Sequence, residues 1–133
     1  MNLYADLILE HWRHPQNYGR LNDADLEAYV VNPLCGDEIR LQLKLKRSTV
    51  NSEQSTVIER VAFIGNGCAI SQAAASILTE EIKGGKLTDL TKLTEEKIIS
   101  FLGIRPGPAR IKCATLALKA LKRALQSEIV ANH

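Results

Sequence analysis

The sequence predicts an α+β fold in which helices pack on one face of a three-stranded antiparallel sheet. Residues 26–64 contain the segments with β-type patterning, and most segments with helical patterning follow them. The clearest strand, residues 39–46, alternates apolar and polar side chains, as a strand with one buried and one solvent-exposed face does. Strands that are followed by a run of helices indicate the α+β class.

The first half of the chain predicts one helix and three strands. Residues 3–12 carry apolar side chains at helical spacing, and Pro15 ends this pattern. Three β-prone segments follow, at residues 26–31, 39–46 and 57–64. The polar residues 47–56 predict a hairpin connection between the second and third strands. In the third strand, we expect the alternation to place Val57 and Val61 on the same face.

Three further helices are predicted after residue 67. Residues 70–82 carry an apolar stripe at helical spacing, which a Gly-Gly pair closes. Thr94 is a suitable N-cap for a helix of two turns, with acidic residues in its first turn and Gly103 after its end. Arg-Pro-Gly-Pro at 105–108 stops any helix, and the last predicted helix covers residues 109–126.

Length and charge indicate one domain, residues 1–133, and exclude several classes of partner. The 17 Lys and Arg residues against 15 Asp and Glu residues give a net charge of +2, too small to predict nucleic-acid binding. No apolar run approaches the ~20 residues of a membrane span, and the N-terminal segment has an acidic residue where a signal peptide has basic ones. We therefore expect a cytoplasmic protein with no nucleic-acid or membrane partner.

The three cysteines lie beside breaks in the predicted elements, which makes them candidate metal ligands. Their odd number argues against a disulfide framework. Cys68 precedes a predicted helix, whose N-terminus favours the thiolate form, and Asp37 shares one side of an extended segment with Cys35. Together with Cys113, these residues would complete a tetrahedral zinc site. The spacing fits buried, inert cysteines equally well, since cysteine is among the most buried residue types.

Four short motifs occur in order along the chain and include all three cysteines. They are His-Trp-Arg-His-Pro-Gln-Asn-Tyr-Gly at 11–19, Asn-Pro-Leu-Cys-Gly-Asp at 32–37, Gly-Cys-Ala-Ile-Ser at 67–71 and Ala-Arg-Ile-Lys-Cys-Ala-Thr-Leu at 109–116. Together they resemble the motifs of the U-type iron–sulfur cluster assembly proteins, the family of IscU, SufU and the N-terminal domain of NifU. The resemblance covers almost the whole chain and implies the SufE/NifU-like, IscU-like α+β fold.

Within this family, the second and third motifs are most similar to those of the SufU branch. Lys112 stands where IscU proteins typically have a histidine before the last cysteine. The Leu-Pro-Pro-Val-Lys chaperone-recognition motif of IscU is absent, with residues 105–108 in its place. The interval from Cys68 to Cys113 is close to the IscU length, so this chain lacks the insertion that SufU proteins usually carry there.

The resemblance implies a zinc-binding protein that accepts persulfide sulfur from a PLP-dependent cysteine desulfurase. The alternative is a scaffold on which a transient [2Fe–2S] cluster is built from iron and sulfide and then transferred. The metal or cluster ligands implied are Cys35, Asp37, Cys68 and Cys113. The sulfur acceptor would be Cys35 by analogy with SufU or Cys113 by analogy with IscU, and Arg110 would support docking or position the loop of the third motif.

The same resemblance implies the recipients of the sulfur or cluster, which are a downstream Suf-type scaffold complex or apo iron–sulfur proteins. Either role is that of a sulfur carrier or scaffold rather than of an enzyme that acts on a free small substrate. The basic residues Lys119, Lys122 and Arg123 are expected to form a solvated helix face, with contact to an acidic surface of the desulfurase as the alternative. His11 is expected to pack at a helix end rather than bind metal.

Overall fold

The structure, a computed structural model, describes residues 3–34, 36–103 and 105–131. Its elements are α1 (Leu3–Arg13), β1 (Leu26–Asn32), β2 (Asp37–Val50), β3 (Glu53–Asn66), α2 (Ala69–Ile82), α3 (Leu87–Leu90), α4 (Glu95–Leu102), α5 (Pro108–Ala114) and α6 (Leu116–Ala131). Cys35, one of the four predicted ligands, lies outside the described residues.

Across the described ranges, the strands form a three-stranded antiparallel sheet with β2 between β1 and β3. Every second residue of β1 is buried, so one face of this strand lies against the core and the other contacts solvent. The buried face of β2 contributes Ile39, Leu41 and Leu43, whose side chains have no solvent exposure. The predicted α+β fold with a three-stranded antiparallel sheet is therefore confirmed.

The β2–β3 hairpin is longer than the sequence pattern predicts. Residues 47–56, expected to be a connection, belong to the strands except for Asn51 and Ser52. These two residues have φ angles of 51° and 67°, as in a two-residue type I′ hairpin turn. Most described side chains at residues 46–54 are exposed. These side chains are polar because both strands are exposed to solvent at this end of the hairpin. The prediction of a connecting loop at residues 47–56 is therefore wrong.

A β-bulge in β3 changes which of its residues face the core. The pairing shifts between Lys44 and Leu45 of β2, so that Glu59 is an extra residue on β3. A bulge of this kind moves the inward-facing set by one position. Accordingly, Ile58 is completely buried whereas Val57 is only partly buried. The expected alternation from Val57 is wrong for this reason.

The helices cover the buried face of the sheet. Helix α6 packs against β1 and β2, α2 packs against β3, and α1 lies on α2. The predicted start and end of α4 are confirmed, because the Thr94 hydroxyl accepts a hydrogen bond from the Lys97 N–H and Gly103 is left-handed, with φ of 75°. Among the described helices, none is long and apolar enough to cross a membrane.

The last predicted helix is in fact two helices, α5 and α6. Thr115 lies between them with φ of −103° and ψ of 6°, outside the helical range, and its hydroxyl donates a hydrogen bond to the Ile111 carbonyl at 3.0 Å. Both helices turn apolar residues towards the core, so the periodic pattern continues across the break. The sequence pattern also does not predict the short helix α3.

Phe63 of β3 is expected to be a major contributor to the stability of the fold. Its side chain is completely buried and meets the Tyr18 ring edge-on, with centroids 5.3 Å apart. We expect Phe63→Ala to lower the free energy of unfolding by about 3–5 kcal/mol, because it leaves a large cavity. Chemical denaturation measures this change. Leu34→Ala, at a side chain that is 82% exposed, is the control and should stay within about 0.5 kcal/mol. A loss below about 1 kcal/mol in Phe63→Ala would contradict the described packing.

Candidate metal centre

The candidate site lies at the end of the sheet where the β1–β2 connection, the end of β3 and the start of α2 meet. Asp37 is the first residue of β2 and pairs with Asn32 at the end of β1. The next residue of β2, Glu38, pairs with Asn66 at the end of β3. Cys68 follows as the N-cap of α2. This strand register therefore brings Asp37 and Cys68 together although 31 positions separate them.

The Asp37 carboxylate contacts Cys68 through both of its oxygens. The Cys68 backbone N–H donates a hydrogen bond to Oδ1 at 3.1 Å, and the Cys68 Sγ lies 3.4 Å from Oδ2. The Cys68 side chain does not cap its own helix. A negative charge at this position is favoured by the helix dipole and by backbone N–H groups at the helix start. Asp37 is 3% exposed, so the fold holds a buried carboxylate against the helix N-terminus.

Cys113 of α5 supplies the third donor atom. Ligand atoms of Asp37, Cys68 and Cys113 all lie within 4.8 Å of one another. Helix α5 begins with Pro108 at its first position, directly after Gly107, and packs against α2. Cys113 is 1% exposed, whereas Cys68 is only partly buried. Cys113 is therefore the more deeply buried of the two described thiols.

The donor set fits zinc both in chemistry and in spacing. Thiolate sulfur and carboxylate oxygen are ordinary zinc ligands, and with bonds of about 2.0–2.3 Å the donors of a tetrahedral site lie about 3.3–3.8 Å apart. The Cys68 Sγ to Asp37 Oδ2 distance of 3.4 Å is already in this range. The other two donor pairs lie within 4.8 Å, so a small movement of the side chains towards each other would bring them into this range. A fourth ligand would complete the tetrahedron.

Three of the four predicted ligands are thus brought together by the fold. Cys35 is outside the described residues, so its membership of the site stays a prediction. Its neighbours Leu34 and Gly36 line a cleft of about 770 Å³, together with the three donor residues. Arg110 and Lys112 line the same cleft. Two cationic side chains therefore border a site whose ligands are anionic.

Gly67 is a site residue whose role the sequence does not reveal. A Cβ atom at this position would lie 2.5 Å from the Asp37 Oδ1 and 2.8 Å from the Ser71 Oγ. The absence of a side chain at Gly67 therefore leaves the space that the Asp37 carboxylate occupies. The motif shows that a glycine precedes Cys68, but only the strand register shows that a side chain there would collide with the Asp37 carboxylate.

His11 lies apart from this donor group, as expected. Its Nδ1 is 2.7 Å from the Ser76 Oγ on α2. The Nε2 of the same ring lies 3.5 Å from a carboxylate oxygen of Glu80, also on α2. These contacts join α1 to α2, in agreement with a packing role for His11.

The motifs, the fold and the donor group agree with comparisons to known proteins. Residues 3–128 match the NifU-like N-terminal domain family. The chain belongs to this family. The zinc-dependent sulfurtransferase SufU of Bacillus subtilis (strain 168) is 37% identical to it over 145 residues, covering 95% of this chain and 91% of SufU. The alignment is longer than this chain of 133 residues, so the chain has gaps opposite SufU.

Other relatives of this NifU-like N-terminal domain protein are named as scaffolds. The iron–sulfur cluster assembly scaffold protein IscU of Thermotoga maritima is 34% identical over 140 residues, covering 93% of each chain. A candidate assembly scaffold protein of the SUF system from Fervidobacterium islandicum AW-1 has a similar solved structure, with a TM-score of 0.70, 27% identity and coverage of 90% of this chain and 94% of that chain. The N-terminal part of a NifU-like protein from Brucella abortus has the same fold, with a TM-score of 0.74, 20% identity and coverage of 92% of each chain.

Proposed function

We propose that this chain is a zinc-binding sulfur acceptor of iron–sulfur cluster assembly, which takes persulfide sulfur from a PLP-dependent cysteine desulfurase. The observation that carries the proposal is the Asp37, Cys68 and Cys113 donor group at the cleft. The similarity to the B. subtilis zinc-dependent sulfurtransferase SufU supports the choice of zinc and of sulfur transfer. We propose residues 1–133 as one domain that carries this function.

The metal would be held by Asp37, Cys68 and Cys113, with Cys35 as the fourth ligand. When bound, zinc keeps cysteine thiols deprotonated at neutral pH. The buried Asp37 carboxylate, fixed by the Cys68 N–H, would hold its side of the site in place while a cysteine leaves. In this arrangement, one thiolate would leave the metal to accept sulfur while the Asp37 carboxylate stays in place.

The transfer is an exchange between thiolate and persulfide that conserves charge and oxidation level. The acceptor thiolate attacks the terminal sulfur of the donor persulfide, a new S–S bond forms on the acceptor, and the old S–S bond breaks. The donor cysteine leaves as a thiolate, and the proton of the terminal sulfur stays with that sulfur or passes to water. We assign the acceptor role to Cys35, by analogy with SufU and because Cys113 is 1% exposed, whereas attack on the persulfide of another protein needs an accessible thiolate.

The partners follow from the same chemistry. The donor is a cysteine desulfurase, and the recipients are a Suf-type scaffold complex or apo iron–sulfur proteins. We propose a cytoplasmic location, since thiol ligands persist in a reducing compartment. The protein then acts as a sulfur carrier, with another protein rather than a free small molecule as its substrate.

Metal analysis and sulfur labelling test this proposal directly. After anaerobic purification, we expect about one zinc per chain without acid-labile sulfide, as in a closed four-ligand site. Incubation with a cysteine desulfurase and [³⁵S]cysteine should place label on this chain, and a thiol reductant should release it. Absence of label from a chain that contains zinc and is folded would overturn the sulfur-acceptor role.

A cluster scaffold is the second candidate function. It is supported by relatives named as IscU scaffolds, such as the T. maritima protein at 34% identity. In this role, a transient [2Fe–2S] cluster is the cargo of the same donor residues. Iron and sulfide in equal amounts with visible absorption, in place of zinc alone, would favour the scaffold over the sulfur acceptor.

A further inference from the structure

A second cleft, here called the basic groove, lies beside the candidate metal centre. It is bordered by the end of β1 and the residues after it on one side, and by α5 and α6 on the other, with a volume of about 730 Å³. Asn32, Leu34 and Lys112 line both this groove and the cleft of the metal centre. The two clefts are therefore neighbours with a shared wall.

The basic groove concentrates the positive charge of the protein. Among the residues whose side chains the structure describes, four cationic side chains line the groove against one carboxylate, that of Glu95, a net charge of +3. The cations are Lys112, Lys119, Lys122 and Arg123, all of them exposed. The whole chain has a net charge of only +2. The remainder of the protein is therefore close to neutral, and an acidic partner is attracted to this side.

The groove also has apolar and backbone features that suit a protein partner. Leu34 is 82% exposed and Val31 is 40% exposed, and both line the groove. The Arg123 guanidinium donates a hydrogen bond to the backbone carbonyl of Tyr29 on β1, at 3.4 Å. In the described sheet β1 is an edge strand, with β2 on only one of its sides, and an edge strand can pair with an added extended segment. Exposed apolar side chains beside an open strand edge favour an extended polypeptide over the regular phosphate backbone of a nucleic acid.

We propose that the basic groove docks an extended acidic segment of the protein that delivers sulfur to the metal centre. This inference rests on the proposed function. Electrostatic complementarity sets the rate and orientation of association more than the final affinity. Because the groove shares lining residues with the cleft of the metal centre, a segment bound there would bring the donor persulfide close to the metal centre.

Charge reversal in the groove tests the proposal. The variant K119E/K122E changes two exposed lysines of α6 and leaves the donor residues, Arg110 and Lys112 unchanged. The control K83E/K92E makes the same change in net charge at two exposed lysines outside the groove. The rate at which a cysteine desulfurase transfers ³⁵S to each chain is measured as a function of chain concentration, at low and at high salt.

We expect K119E/K122E to raise the half-saturating concentration about tenfold at low salt, with the maximal rate within about twofold of the original chain. For the original chain, the half-saturating concentration should rise with salt between about 0.05 and 0.3 M, and the variant should lose most of this dependence. K83E/K92E should behave like the original chain, and zinc content should be equal in all three.

Four results would contradict the docking site, and one of them would also contradict the proposed function. If K119E/K122E keeps the original half-saturating concentration and salt dependence while it accepts sulfur, the donor docks elsewhere. If the two variants are impaired equally, only net charge matters and the groove has no special role. If the original chain itself accepts no sulfur, the proposed function fails, and the docking site fails with it. If the original chain binds an oligonucleotide and K119E/K122E loses this binding with unchanged sulfur transfer, the basic groove is a nucleic-acid surface instead.

Discussion

Cys35→Ala is expected to abolish acceptance of sulfur, although it leaves Cys68 and Cys113 in place. The transfer requires a thiolate that can move towards the donor persulfide. Among the described thiols, Cys113 is 1% exposed and Cys68 Sγ lies 3.4 Å from the Asp37 carboxylate. We expect ³⁵S on the variant at the level of a control without desulfurase, together with loss of any stimulation of desulfurase turnover.

Cys35→Ser removes the thiolate with a smaller change in side-chain size than Cys35→Ala, and the zinc content of both variants is measured alongside the label. Serine keeps the size of the side chain and an oxygen, but its hydroxyl is not a nucleophile towards persulfide sulfur at neutral pH. Circular dichroism should show that both variants are folded. Labelled peptides from the original chain should contain Cys35. Normal stimulation by Cys35→Ala, or label on a peptide that contains Cys113, would show that the acceptor assignment is wrong.

Gly67→Ala is expected to damage the metal centre through a single methyl group. The added Cβ would lie 2.5 Å from the Asp37 Oδ1, a distance that ordinary contacts do not reach. The carboxylate must move, and it then loses its hydrogen bond from the Cys68 N–H. We expect the affinity for zinc to fall by about 10–100-fold, the usual consequence of disturbing the groups that orient metal ligands. Competition with a chromophoric chelator measures this affinity.

Gly107→Ala provides the matched control for this substitution. Gly107 precedes α5, which carries Cys113, but a Cβ there meets no heavy atom within 4 Å. We expect the zinc affinity of Gly107→Ala to remain within about twofold, since surface substitutions of this kind rarely change a structure. Equal affinities for zinc in the two variants would contradict the described position of Asp37.

Much of the fold can be predicted from the sequence because its signals are local. The alternation around Leu41 and the N-cap Thr94 each depend on a few neighbouring residues, and both predictions are confirmed. The bulge at Glu59 is seen only in the pairing of β2 with β3, and the helix break at Thr115 only in its backbone angles. Periodicity continues across both features, so the sequence pattern does not reveal them.

The candidate site can be predicted in its residue types but not in its contacts. The motifs single out Asp37, Cys68 and Cys113 in order, and the fold brings them within 4.8 Å. That proximity follows from the strand register between β1, β2 and β3 and from the packing of α5 on α2. The need for a glycine at position 67 is a consequence of this three-dimensional arrangement, and no local pattern encodes it.

The three described donors belong to three separate elements, since Asp37 is in β2, Cys68 caps α2 and Cys113 is in α5. A metal ion held by all three is released when any one of these elements unfolds. Its binding therefore adds directly to the folding free energy, by about 2.7 kcal/mol when free metal is roughly 100 times its dissociation constant. This gain applies to openings that separate the donors. The far end of the β2–β3 hairpin, at Asn51 and Ser52, can open locally without disturbing them. Metal binding thus stabilises the end of the protein that holds the donors against opening. Opening of the hairpin end has the same free energy with and without the metal.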